Sequence, residues 1–126
     1  MGKHSFRHVY REGNERADQL VRDARSGFTG KQVFQLPHNL LQEMRSIRGG
    51  WDGGVSAEGS AGGWWLQLSV EHGRAPSWIN VSQEAFCLPG DTSVTGCELA
   101  AAERLTLAVQ DLLDRRACDR KRRRLA

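Results

Sequence analysis

The apolar positions of this chain change period along its length. Phe6, His8 and Tyr10 alternate with Arg7, Val9 and Arg11, the two-residue period of a short strand. Glu12-Gly13 breaks the alternation. Asn14, a good N-cap, then leads Ala17, Leu20, Val21 and Ala24 at helical spacing, and Gly27 is placed to end that helix. Residues 28–48 are weakly patterned, apart from a helical hint at 39–44 after Pro37. Residues 49–54 open a glycine-rich region, 64–70 read as a strand and 72–76 as a turn. Residues 78–81 and 85–88 supply further strand material, ending at Pro89-Gly90. From Glu98 to about Arg116, the residues Ala101, Ala102, Leu105, Val109, Leu112 and Leu113 form one apolar stripe at helical spacing. The predicted order is strand, helix, linker, three candidate strands, long helix and basic tail, with no internal repeat.

A length of 126 residues fits one domain, and 39% apolar with 26% charged residues is ordinary for a globular chain. No run of about 18 apolar residues is present to span a membrane. The start MGKHSFRH lacks an apolar signal core, and Phe6 stands where a lipidation motif needs Ser or Thr, so an intracellular protein, cytoplasmic or nuclear, is expected. Cys87, Cys97 and Cys118 form no C-x-x-C pair, which argues for reduced thiols rather than a disulfide framework or a cysteine zinc site. Net charge is +3, but residues 115–124 hold seven of the 18 basic side chains. Such a run suits nucleic-acid phosphates or an import receptor, and a solvated tail is the plain alternative.

Three acids stand where a carboxylate needs a reason. Asp18 lies in the first turn of a helix, Asp52 sits among glycines where backbone can approach closely, and Glu98 shares a helix face with Ala101, Ala102 and Leu105. Singly, each has a structural role to hand. The helix dipole stabilises Asp18, Asp52-Gly53 is a common turn dipeptide, and Thr95 with Glu98 forms a capping box. Converging carboxylates, by contrast, repel unless a proton or cation intervenes, and Mg²⁺ is the usual hard cation for oxygen ligands.

The surroundings favour the second view. HVYREGNERADQLV, residues 8–21, resembles the last strand–helix unit of type 1 ribonuclease H, with His8, Asn14 and Asp18 at that family's H-x(5)-N-x(3)-D spacing. WDGG with the small-residue run 59–63 resembles the family's first strand and turn, which places Asp52 as a metal ligand. Residues 92–102 resemble its first helix, which carries a metal-binding Glu, here Glu98.

The resemblance implies an α/β fold, a ribonuclease H-like mixed sheet with flanking helices. Its parts are permuted: residues 1–27 correspond to the last strand–helix unit, 28–45 to a connector, 46–116 to the first three strands and first helix, and 117–126 to a basic tail. The fourth-strand region is lacking, because 28 residues follow Glu98 and none reads as a strand bearing a third metal-binding Asp. Asp111, Asp114 and Asp119 belong to the helix or the charged run. The implied activity is divalent-metal-dependent endonucleolytic hydrolysis of the RNA strand of RNA–DNA hybrids, weakened or lost with the missing ligand. Asp52, Asp18 and Glu98 would hold Mg²⁺ or Mn²⁺, with His8 assisting proton transfer or product release. Asn14, Ser93, Thr95, Arg120, Lys121, Arg122, Arg123 and Arg124 would face nucleic acid. A non-catalytic nucleic-acid-binding module of the same fold is the alternative, and another chain or a neighbouring repeat would complete the fold.

Overall fold

The computed structural model describes residues 12–37, 39–70 and 77–125, so His8, the strand expected at 6–10 and the turn at 72–76 lie outside the described residues. In chain order the elements are α1 (Glu12–Arg25), β1 (Gly30–Val33), α2 (Leu40–Glu43), β2 (Ser46–Ser56), β3 (Gly59–Ser69), β4 (Ile79–Leu88) and α3 (Val94–Leu125). The described strands form one antiparallel sheet in the order β1-β4-β3-β2, and the mixed sheet expected is not seen among the described residues. No crossover connection returns a strand parallel to its neighbour among the described residues.

Most of the local signals act as the sequence predicts. Gly27 adopts φ +94° and closes α1, with the Phe28 N–H donating to Asp23 O at 2.8 Å and the Gly27 N–H to Ala24 O at 3.1 Å. Two other signals act at shifted positions. Helix α1 starts at Glu12, so Asn14 lies inside its first turn instead of capping it. Helix α3 starts at Val94, and the Ser93 hydroxyl accepts the Gly96 N–H at 3.0 Å; Ser93 is the cap, and the Thr95–Glu98 capping box does not form.

The connector contains two short elements. Residues 30–33 pair with 82–85 as β1, and 40–43 form the single turn α2. The 49–54 run lies within the long strand β2, the reversal falls at Ala57-Glu58, and the small residues 59–63 begin β3. Residues 79–81 and 85–88 belong to one continuous strand. The basic run continues α3 instead of leaving it: Gln42 donates to Asp119 Oδ2 at 2.7 Å and accepts from Arg120 Nε at 3.1 Å. Arginine and lysine are good helix formers, and these contacts hold the end of α3 against α2.

Alternation in β3 distributes two cores. Trp64, Leu66 and Leu68 face α3 and join Ile47, Val81, Phe86, Ala101, Leu105 and Leu112. Ala61 and Trp65 face the other way and join Ala17, Leu20, Val21, Ala24 and Ala85. The sheet is therefore a middle layer between two helices. Trp64 donates to Glu84 Oε1 at 2.9 Å, and Glu84 Oε2 accepts from Arg104 at 2.9 Å, so a polar chain ties β3 and β4 to α3.

Glycines set how closely the layers approach. A Cβ at Gly53 would stand 2.4 Å from both the Cys97 carbonyl carbon and the Glu98 nitrogen. At Gly63 it would meet Leu20 Cβ at 2.6 Å and Ala17 O at 3.1 Å. Gly53→Ala drives a methyl into helix backbone that cannot rotate away, and is expected to cost at least about 1–3 kcal/mol of unfolding free energy. Gly90→Ala meets open space and should stay within about 0.5 kcal/mol in the same denaturant titration.

Candidate carboxylate site

The contact of Gly53 with α3 and that of Gly63 with α1 place the strand position between them, Asp52, beside both helices. Asp52 and Gly63 are direct partners across β2 and β3. Asp52 lies on the same side of its strand as Gly54, whose absent Cβ would meet Arg25 and Val21 of α1. Glu98 follows Cys97, the residue that lies against Gly53, and so approaches Asp52 from the α3 side.

Asp52 is half-buried, and its carboxyl is held above the usual carboxylate range. Burial is the largest cause. A hydrogen bond from the Gly53 backbone N–H pulls the other way, while the charges of Asp18 and Glu98 and a side-chain hydrogen bond with Asp18 push upward. Two carboxylates this close repel one another unless a proton or a cation lies between them. Three elements thus bring Asp18, Asp52 and Glu98 together. Asp18 is also ion-paired within its own helix, accepting Arg22 at 2.6 Å with both side chains about half exposed. Glu98 is exposed.

The donor set consists of hard carboxylate oxygens, the chemistry that suits Mg²⁺ or Mn²⁺, and the Asp18–Asp52 contact is the position where such an ion would relieve repulsion. The set is not closed as it stands. Among the described residues, no group of three or more His, Cys, Asp or Glu side chains is arranged to hold a metal. Asp119 cannot add to it, since it lies 21 residues along α3 from Glu98, about 31 Å at 1.5 Å per residue, and accepts from Gln42.

The residues expected to face nucleic acid are spread over the molecule. Ser93 caps α3 and Thr95 is exposed in its first turn, both close in sequence to Glu98. Asn14 sits in α1 with its Oδ1 buried and without a hydrogen-bond partner. Arg120, Lys121, Arg122, Arg123 and Arg124 occupy the far end of α3; Lys121 and Arg122 are exposed, and Arg120 bonds Gln42. Cys87, Cys97 and Cys118 are free thiols. The sequence reading did not single out Arg16 and Arg48, which the fold brings together over Trp65. Their only sequence signal is an arginine on a strand and another at the buried edge of a helix.

No helix among the described residues is long and apolar enough to cross a membrane. Comparisons with protein-family models, curated proteins and solved structures find no match to this chain.

The raised Asp52 carboxyl has a definite sign in stability. The folded chain holds that proton more tightly than the unfolded chain, whose Asp titrates near the usual value of about 3.9. Stability is therefore fullest below the unfolded value and is lost as pH rises through the higher folded one. In metal-free buffer at neutral pH, Asp52→Asn is expected to melt above the wild-type chain, and the two should converge below about pH 3.5. Mg²⁺ should raise the Tm of the wild type and leave that of Asp52→Asn unchanged.

Proposed function

We propose that this chain is a ribonuclease H-like domain with its parts in permuted order, and that its chemistry is divalent-metal-dependent hydrolysis of the RNA strand of an RNA–DNA hybrid. The observation that carries this reading is the approach of Asp18 and Glu98, from α1 and α3, to Asp52 of β2, whose carboxyl is raised first by burial and then by the charges of those two acids. Asp18 and Asp52 lie 34 positions apart in sequence, and they meet from the two motifs that resemble opposite ends of that family's domain. The antiparallel β2–β3–β4 run followed by α3 on one face, with α1 on the other, supports the same reading.

Asp52 and Asp18 would hold a Mg²⁺ ion, with Glu98 opposite. Bound there, the ion would supply an activated water and charge stabilisation at the scissile phosphate. The protein's own contribution is to hold the Asp52 carboxylate in a half-buried position, with Asp18 and the exposed Glu98 near enough for their charges to act on it. The missing ligand has a place in this arrangement. β2 is the end strand of the sheet, and among the described residues nothing pairs with its outer edge. A further strand added there, from another chain or a neighbouring repeat, would lie next to Asp52.

A non-catalytic nucleic-acid-binding module is the second reading, favoured by one observation. The three carboxylates are not in a closed metal-holding arrangement among the described residues. Basic charge at the far end of α3, about 36 Å from Glu98 at Arg122, would serve either function.

The two readings separate in a cleavage assay on a labelled RNA–DNA hybrid. Loss of one electrostatic contact of this kind costs about 10²–10³ in rate, so turnover by the isolated chain is expected to be slow by about that factor against a complete site. It should require Mg²⁺ or Mn²⁺ and vanish in Asp52→Asn. Cleavage that ignores both the metal and Asp52 would overturn the nuclease reading. Hybrid binding without cleavage at any metal concentration, unchanged in Asp52→Asn, would assign the chain to the binding module.

A further inference from the structure

At the end of the sheet that α1 enters first, two arginines converge over one indole. The Arg16 guanidinium lies 5.2 Å from the centroid of the Trp65 ring, and that of Arg48 lies 5.8 Å from the same ring and 4.3 Å from Trp78. Both heads are held in place. Arg16 donates to Asn80 Oδ1 at 2.9 Å and to Gln83 Oε1 at 2.6 Å, while Arg48 Nε donates to Gln67 Oε1 at 2.7 Å. Gln67 Nε2 also donates to Asn80 Oδ1 at 2.9 Å, which joins the two halves.

A β-bulge builds this cluster. Gln83 and Ala85 face α1, and strict alternation would turn Asn80 towards α3. The register instead steps from Leu66↔Ser82 to Gln67↔Asn80, leaving one extra residue, Val81, which packs in the α3-side core. Asn80 is thereby re-aimed to the α1 side, in one row with Arg48 and Gln67.

The amide oxygens that accept these hydrogen bonds carry no charge. Arg16 is half-buried, and burial first and the charge of Arg48 second hold its guanidinium below its ordinary value. Two fixed cations that repel one another, their planar donors oriented by amides and rings, are preorganised for an anion with several acceptor oxygens. Arg48 lies on the same strand and the same face as Asp52, four residues away, or about 13 Å.

We propose that Arg16 and Arg48 form a phosphate clamp for the backbone of a nucleic-acid strand that continues along β2 towards Asp52. The proposal rests on the nucleic-acid reading given above and adds to it a second contact point, separate from the carboxylates and from the basic end of α3.

The test is the affinity of the full chain for a fluorescent RNA–DNA hybrid in EDTA, measured across a KCl series. R16Q/R48Q is expected to bind about tenfold or more weakly, with a salt slope lower by about 1–2, since each phosphate contact contributes about 0.9. R48K should keep the slope. An unchanged slope in R16Q/R48Q overturns the clamp and leaves the nuclease reading standing. A wild-type chain that does not bind the hybrid at all removes both. Stronger binding of a poly-glutamate peptide than of the hybrid would give the clamp to an acidic protein partner and overturn the proposal. Should R16Q/R48Q fail to fold, phenylglyoxal labelling of the wild type decides: the hybrid is expected to protect Arg16 and Arg48, and equal labelling with and without it overturns the clamp.

Discussion

Everything distinctive about this structure depends on how closely two helices approach the sheet at positions without side chains. At Gly53 the backbone of α3 lies where a Cβ would be, and at Gly63 the Leu20 Cβ of α1 crowds that place from the other face. Buried contacts of this kind leave no room for adjustment, because interiors are packed to near-crystalline density. They fix the height of both helices over β2 and β3. Asp52, one residue from Gly53 and directly opposite Gly63, is thereby held within reach of Asp18 and Glu98. The same approach that packs the domain concentrates its acids.

The α1 side of the sheet carries two like-charged clusters, with α1 contributing to each. Asp18 turns towards Asp52, and Arg16, two residues earlier, turns towards Arg48. Separate faces of one helix thus serve opposite charges, because positions two apart do not share a face. Each cluster works against folding: a half-buried carboxyl is pushed up by burial and then by neighbouring acids, and a half-buried guanidinium is pushed down by burial and then by a neighbouring cation. Groups that raise the energy of the empty chain in this way are the ones a bound cation or anion would relieve, and unfavourable charge pairing of this kind is concentrated at functional sites.

Elements with local signals were legible. Helix α1 and its glycine stop follow from apolar spacing and from the φ that only glycine adopts readily, and the stripe of α3 follows from its period. Elements whose signals are non-local were not. β1 is four exposed residues that exist only because β4 offers an edge to pair with. The basic run reads as a tail until Gln42, 77 positions away from Asp119, is seen to hold it. Thr95 and Glu98 form a better capping box on paper than Ser93 and Gly96, but α3 begins earlier, and the cap goes to the residue at its actual start.

The amino-acid sequence alone determined which residues could matter as a set: three carboxylates in three separated segments, each in a small-residue or helical context that suits close approach. Periodicity and caps are written in neighbouring residues, so they survive in one dimension. The meeting of those carboxylates, the antiparallel sheet direction, the bulge at Val81 and the convergence of Arg16 on Arg48 were decided only in three dimensions. They depend on which strand pairs with which and in what register, and a shift of one residue would turn each side chain to the opposite face.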